Sequence, residues 1–311
     1  MKYTYNIIIK AAAVIVAALM LSSCLEKDPK DYIVDTEAMT SLNGAEQIVT
    51  GIYTAYMSSG LYSGNLTLLP DIQCDLVMAV EGNSNTHGEI YQWTFRPTNR
   101  EIESVYAGLY TVIGRCNFYL DQVEELKKTL VADADIQTLD QYTGEVYCAR
   151  ALAYSELIKC FCKAYDPATA ESELGVVLRS SYSKPEPVVR ASLKKSYEFV
   201  LADLAKAEEL LDEDYDSFDS PYFTKGAANA IHARVALYMQ DWDNAVLYST
   251  KLIESKAFDL ATARAYVTSN QTFLDYLWTN DTSYENIWRI GYTTTSYGSP
   301  QGSVFLNFTT D

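Results

Sequence analysis

Histidine is scarce in this chain: only His87 and His232 occur among 311 residues. The motifs HExxH, GxSxG, GxGxxG and the phosphate-binding loop are also missing. Metallopeptidase, hydrolase-elbow, dinucleotide-binding and nucleotide-binding functions therefore lack the residues that their chemistry needs. We predict no catalytic residue, no cofactor and no metal. A secreted hydrolase with paired carboxylates is the catalytic alternative, because 41 acidic residues form many accidental pairs.

Basic residues are few as well. The chain has 24 Lys and Arg against 41 Asp and Glu, for a formal net charge of −17. Such an acidic protein would repel the phosphates of nucleic acid, which excludes that class of partner. Tyrosine, by contrast, is abundant at 25 residues. A tyrosine ring has an apolar face and a polar edge, which suits sugar or peptide binding and equally suits half-buried helix packing.

The apolar run at the N-terminus is too short to span a bilayer. Ala11–Leu21 has eleven apolar residues, whereas a membrane helix needs about 20 and a cleaved signal peptide about 7 to 15. Lys2 and Lys10 flank its basic start, and Leu21-Ser22-Ser23-Cys24 closes it in the manner of a bacterial lipobox. We predict that 1–23 is a lipoprotein signal peptide and that Cys24 is lipidated. The alternative is an ordinary cleaved signal with an incidental cysteine.

Residues 24–36 follow as a polar, lipid-anchored tether that contains Pro29. We predict that 37–311 forms the folded domain. Five cysteines remain after lipidation, an odd number, and Cys160-Phe161-Cys162 is too tight for redox or zinc pairs. We expect mostly free thiols, with Cys116, Cys148 and Cys160 acting as small buried apolar groups.

Apolar periodicity predicts a mainly α fold, a helical bundle with long irregular loops. We predict helices over 45–57, 101–126, 139–162, 192–211, 225–239 and 243–255. The third should be central, because both of its faces are apolar. The last two form a hairpin across 240–242, and the small Ala233 and Ala245 allow the close approach seen in tetratricopeptide repeats.

The segment Gly60–Asn99 is rich in Gly, Asn, Ser and Pro, and we predict a long irregular loop of the kind that carries function. It combines flat apolar rings with polar donors and acceptors, the mixture that a saccharide needs. The candidate ligand-binding residues are Asn83, Asn85, Tyr91, Trp93, Arg96 and Asn99. The alternative is that Trp93 packs the loop onto the helices, since buried aromatics are the commoner case.

Two weaker clusters complete the candidates. Aromatic rings recur at Tyr276, Trp278, Tyr284, Trp288 and Tyr292, where the alternative is that Trp288 lies in the core. Acidic side chains recur at Asp212, Asp214, Asp216 and Asp219. Ser217 and Phe223 occupy the positions where an EF-hand needs Gly and Glu, so a solvated acidic loop is favoured over a calcium site.

The order and spacing of these helices and their motifs resemble the SusD/RagB family of nutrient-binding outer-membrane lipoproteins. The positions that carry the resemblance are Leu21–Cys24; Tyr110, Ile113, Arg115 and Asn117; Glu145, Arg150, Ala151, Tyr154, Leu157 and Ile158; Gly175 and Val176; Asp203, Leu204, Ala207, Leu210 and Leu211; and Lys225–Ala228, Ala233, Arg234, Leu237, Tyr238, Asp241, Trp242 and Ala245. They extend over most of the chain. The resemblance implies that family members are commonly longer, and we expect this sequence to correspond to their N-terminal portion.

The resemblance implies a SusD-like helical body with tetratricopeptide-like helix pairs on the outer face of the outer membrane. Glu26 and Asp28 are similar to the export signal of surface lipoproteins. Such proteins hold an oligosaccharide or polysaccharide, cap a SusC-like TonB-dependent transporter and are not enzymes. The alternatives are a peptide-binding member of the same family and a tetratricopeptide-like interaction scaffold that binds no small ligand.

Overall fold

Helices dominate this computed structural model, which describes residues 38–78, 87–260 and 283–291. The eight helices of these residues are α1 (Leu42–Tyr56), α2 (Asn65–Gln73), α3 (Gly88–Tyr91), α4 (Arg100–Lys127), α5 (Asp133–Phe161), α6 (Leu193–Leu210), α7 (Lys225–Tyr238) and α8 (Trp242–Ser255). The strands β1 (Leu174–Val177) and β2 (Arg190–Ser192) pair antiparallel, with Leu174 opposite Ser192. The prediction of a mainly α fold is confirmed.

Side-chain caps explain where the helices begin. Ser41, Asn99, Ser192, Thr224 and Asp241 each precede a helix and accept a hydrogen bond from a backbone N–H in its first turn. Such a cap satisfies one of the donors that a helix start leaves without an internal partner. Ser192 is therefore the N-cap of α6, and all six predicted helices are present with ends shifted by at most six residues.

The prediction of an irregular loop over Gly60–Asn99 is wrong for part of this segment. It contains α2 and the short α3. Leu66, Leu68, Leu69 and Ile72 of α2 are all buried, even though Pro70 lies inside the helix. Burial of these apolar side chains outweighs the weak local propensity of a Gly- and Asn-rich segment.

Helix α5 is central, as predicted. It packs against α4 on one side and α6 on another, and also contacts α1. Leu139, Val146, Leu152, Leu157 and Ile158 are buried along its length. A helix that is buried on several faces needs apolar or paired polar residues all round.

A buried ion pair joins α5 to α6. The Nε and Nη2 atoms of Arg150 donate to the two carboxylate oxygens of Asp203, each at 2.7 Å. Arg150 Nη1 donates to Asn117 Oδ1 of α4, also at 2.7 Å. Asn117 Nδ2 in turn donates to the carbonyl oxygen of Arg179. The bidentate pair, the geometry in which arginine binds a carboxylate best, joins α5 to α6, and Asn117 connects it to α4 and to the segment after β1.

A second buried carboxylate, Glu145, lies on α5 and faces α1. Its Oε2 accepts the hydroxyl proton of Tyr53 at 2.6 Å, and Tyr53 Oη accepts the backbone N–H of Phe223 at 2.7 Å. Burial raises the pKa of Glu145 to about 7, although the hydrogen bonds from Tyr53 and Gln141 oppose the shift. An acid in this state is protonated through part of the physiological pH range.

Helices α7 and α8 form the predicted hairpin, with Gln240 at φ 60° in the turn between them. Helix α8 buries no residue, and its apolar side chains Trp242, Val246 and Ile253 are exposed. These three recur at intervals of four and seven and therefore share one helix face. Among the described residues, no helix combines the length and the hydropathy that crossing a membrane requires.

The cysteines of the described residues are free thiols, as expected. Cys116 and Cys148 are buried, and their burial raises the pKa of each thiol. The expectation of a buried Cys160 is wrong, because this residue is exposed in the last turn of α5. Cys24, the tether and the signal peptide lie outside the described residues.

Candidate functional site

An exposed tryptophan follows the short helix α3. Trp93 has φ 55°, in the left-handed region, and its backbone N–H donates to the carbonyl of Ile90 at 3.1 Å. The backbone N–H of Thr94 donates to the carbonyl oxygen of Glu89 at 2.9 Å. Glycine usually occupies such a position at a helix end, because a side chain there costs about 1–2 kcal/mol. The turn therefore holds a bulky aromatic residue in a strained conformation.

The ring of Trp93 contributes little to packing. The residue is 61% exposed, and its nearest aromatic neighbour is Phe95, with ring centroids 6.2 Å apart and the planes tilted. The alternative that Trp93 packs the loop onto the helices does not agree with this exposure. A large ring that is open to solvent and attached to a strained backbone is a candidate for ligand contact.

The turn is anchored on both sides. Ile90 is fully buried immediately before it. Asn99, after it, accepts the N–H of Ile102 at 3.0 Å as the N-cap of α4, while its amide donates to Glu89 at 3.3 Å. The backbone that carries Trp93 is consequently tied to the core and to the start of a 28-residue helix. We name residues 88–99 the Trp93 turn.

A hydrogen-bond chain supports the N-terminal end of the Trp93 turn. His87 Nε2 lies 3.1 Å from Asn65 Oδ1, and Asn65 Nδ2 donates to Ser104 Oγ at 2.8 Å. Burial lowers the pKa of His87, and the nearby Glu101 opposes this shift. A neutral imidazole that donates its proton to the Asn65 carbonyl fits this contact.

The structure divides the predicted ligand-binding residues into three groups. Trp93 and Arg96 are exposed on the Trp93 turn. Tyr91 is half-buried against the core, and Asn99 is buried with its side-chain oxygen and nitrogen both bonded within the protein. Asn83 and Asn85 lie outside the described residues. The Trp93 turn therefore presents one stacking surface and one cationic donor, while Asn99 serves as a cap.

A second aromatic cluster forms around Trp288, which sequence reasoning placed in the weaker group. Trp288 stacks on Phe223 with centroids 4.5 Å apart, and it makes T-shaped contacts with Tyr56 and Tyr62 at 6.1 and 6.0 Å. Tyr284 instead packs on Phe218 at 4.1 Å. Tyr276, Trp278 and Tyr292 lie outside the described residues. Sequence reasoning missed Phe223 and Tyr62, because contacts between distant segments leave no local pattern.

The acidic residues 212–219 have partners within the protein. Asp212 accepts the N–H of Asp214, and Asp216 accepts the N–H of Gly226 at 2.7 Å. Asp219, predicted as part of a solvated loop, is instead buried and pairs with Arg289 at 2.9 Å. These carboxylates stabilise the loop that contains them and connect it to segment 283–291.

Comparison with known proteins gives this geometry a context. A SusD-like family model, described as starch-binding and associating with the outer membrane, matches residues 25–237. The chain belongs to the SusD-like family. The resemblance drawn from the motifs is thereby confirmed. A curated relative, SusD-like protein P38 of Formosa agariphila, is 24% identical over 81% of this chain and 46% of its own length.

Solved structures show the same fold. A SusD superfamily protein from Bacteroides thetaiotaomicron aligns with a TM-score of 0.69 at 20% identity, over 82% of this chain and 54% of that one. A putative sugar-binding protein from Bacteroides vulgatus aligns at 0.67 with 23% identity, over 84% and 57%. This SusD-like chain thus spans about half the length of the relatives it matches.

Proposed function

We propose that this SusD-like chain is a surface lipoprotein that captures oligosaccharide for uptake, with Trp93 as a stacking platform. The observation that carries the proposal is the Trp93 turn, in which an anchored backbone with a strained φ at Trp93 carries a residue that is 61% exposed. Flat apolar rings bind the C–H face of a pyranose, and the exposed Arg96 supplies donors for hydroxyl oxygens.

The proposal is tested with Trp93→Ala and with Trp242→Ala as a matched control. Trp242 on α8 is 59% exposed but lies outside the Trp93 turn. We expect Trp93→Ala to bind immobilised neutral polysaccharide about tenfold more weakly, which corresponds to about 1.4 kcal/mol. The melting temperature should stay close to that of the wild type, because the ring packs little. Equal retention of the glycan by Trp93→Ala and the wild type would refute the site.

The proposal includes a lipid on Cys24. Each buried methylene of an acyl chain contributes about 0.8 kcal/mol, so several chains on one residue give a durable anchor. Labelled palmitate should enter the wild-type chain and not Cys24→Ser, and protease added to intact cells should cleave the wild type. A labelled Cys24→Ser chain, or full protection in intact cells, would contradict this anchoring.

A second candidate function is docking of a protein partner, and the unburied apolar face of α8 favours it. Within the family resemblance, the partner would be a SusC-like TonB-dependent transporter. Ile253→Asp places a charge on this face at an exposed position and should reduce co-purification of the transporter. Unchanged co-purification would show that the partner binds elsewhere.

A further inference from the structure

Glu145 differs from the other buried carboxylates in having no cationic partner. Four carboxylates are buried among the described residues, and three of them form ion pairs: Asp203 with Arg150, Asp219 with Arg289, and Glu156 with Lys159 and Arg234. Glu145 is the fourth, and within the described part of the chain no Lys, Arg or His pairs with it. A buried carboxylate without a cation is unfavourable, so the neutral acid is the favoured form of Glu145 at low pH.

The side chains around Glu145 are uncharged near pH 7. They are phenols and a thiol, Tyr53 of α1, Tyr119 of α4, and Tyr142 and Cys148 of α5. These groups keep their protons at neutral pH. The charged residues that act on them are all negative, namely Glu46, Asp140 and Glu208. When Glu145 loses its proton, these surroundings therefore supply no compensating charge.

Tyr53 connects Glu145 to the turn that precedes α7. Its hydroxyl donates to Glu145 Oε2 at 2.6 Å, and its oxygen accepts the backbone N–H of Phe223 at 2.7 Å. The ring of Tyr53 stacks on Phe223 with centroids 5.5 Å apart, and it makes a T-shaped contact with Tyr222 at 5.7 Å. The other neighbour of the Phe223 ring is Trp288, stacked at 4.5 Å. One tyrosine thus links the buried carboxyl to the aromatic cluster around Trp288.

Segment 283–291 is the part of this cluster that is held most lightly. Of its nine residues only Ser283 is buried, and it has no helix. Two polar contacts bind it to the loop before α7: Asn286 Nδ2 donates to Asp219 Oδ1 at 3.2 Å, and the backbone N–H of Arg289 donates to the Ser220 carbonyl at 3.0 Å. Helix α5, by contrast, packs against several helices. A charge on Glu145 is therefore accommodated by movement of Tyr53 and of the turn bonded to it, not by movement of α5.

Solvent lies close enough to stabilise the charged form after such a movement. Gln141 and Tyr142 precede Glu145 by about one helical turn and are only half-buried. Burial raises the pKa of Glu145 to about 7, so its charge changes within the physiological pH range.

We propose that Glu145 is a pH-sensitive switch, whose ionisation displaces Tyr53, breaks the hydrogen bond from Phe223 N–H and loosens segment 283–291 around Trp288. The proton of Glu145 passes to water, and water then solvates the carboxylate. The Trp93 turn takes no part in this switch, so the inference goes beyond the proposed function and does not depend on it.

A pH titration of the full chain labelled with 5-fluorotryptophan, followed by fluorine NMR, tests the switch. The four tryptophans give four resonances, which single Trp→Phe variants assign. We expect the Trp288 resonance to move with a midpoint at about pH 7, while the resonances of the exposed Trp93 and Trp242 stay in place. A Trp288 resonance that does not move between pH 5 and pH 8 would overturn the proposal. Equal movement of all three resonances would also overturn it, because it would indicate a global change.

Substitutions of the relay identify the titrating group. Glu145→Gln should remove the movement of the Trp288 resonance, whereas Glu125→Gln, at an exposed position of α4, is the matched control and should preserve it. Tyr53→Phe keeps the ring and removes the hydroxyl, so it should abolish most of the movement. Because histidine also titrates near neutrality, His232→Gln should leave the transition intact. A transition that persists in Glu145→Gln or Tyr53→Phe, or that disappears in His232→Gln, would refute the switch.

Discussion

Replacing Glu145 with Gln should change how the stability of the protein depends on pH. Glu145 is buried on α5 and accepts the hydroxyl proton of Tyr53 at 2.6 Å. Its pKa rises from 4.5 to about 7, mainly because burial disfavours the charged form. A shift of this size corresponds to about 3 kcal/mol of folding free energy.

The direction of the pKa shift of Glu145 determines whether stability rises or falls with pH. Because the folded pKa of Glu145 lies above the unfolded value, the protonated carboxyl contributes its full stability below pH 4.5, and this contribution is lost as the pH rises through about 7. Glutamine is neutral at every pH and keeps a carbonyl acceptor for Tyr53. We therefore expect Glu145→Gln to be more stable than the wild type at pH 8, by up to about 3 kcal/mol, and to differ from it by no more than about 1 kcal/mol at pH 5.

Urea unfolding followed by circular dichroism at pH 5, 6, 7 and 8 measures this difference. The exposed Glu125, replaced by Gln in the same way, is the control and should leave the pH profile unchanged. A difference between Glu145→Gln and the wild type that stays constant from pH 5 to pH 8 would refute the reasoning.

Three further predictions concern folding. Asp203→Ala should destabilise the protein by about 3–5 kcal/mol, because Arg150 would be left as a buried charge without its carboxylate, and an unchanged urea midpoint would contradict this. Trp93→Gly should be more stable than Trp93→Ala by about 1 kcal/mol, because only glycine adopts φ 55° without a steric cost, and equal melting temperatures would contradict it. Asn99→Ala should lose about 1 kcal/mol of cap stability, most of which Asn99→Ser should retain in the same thermal melts.

Helices were the part of the fold that sequence reasoning could predict. Periodic apolar residues and caps such as Ser192 are local signals, so they predict which segments are helical. Helix α2 was missed because its local composition resembles a loop, and its burial depends on distant partners. The motif residues Asn117, Arg150 and Asp203 were identified separately, and only the structure shows that they bond to one another.

The residue types of the candidate site could be predicted from the sequence, but their arrangement in space could not. Trp93 and Arg96 stand out in sequence as a ring and a donor within a polar segment. No local pattern indicates that Trp93 has a left-handed backbone or that Asn99 caps α4, since both depend on how the chain closes around Ile90. The partners of Trp288 come from residues far away in the sequence, so no periodicity in the sequence predicts this cluster.

The two ties of the Trp93 turn have a mechanical consequence. Because Asn99 bonds both to Glu89 and to the first turn of α4, the backbone that carries the indole is coupled to the movement of that long helix. Rotation of the helical body as one piece would therefore carry the ring without changing its angle to α4. A ligand stacked on the ring would keep its orientation relative to α4 during such a rotation.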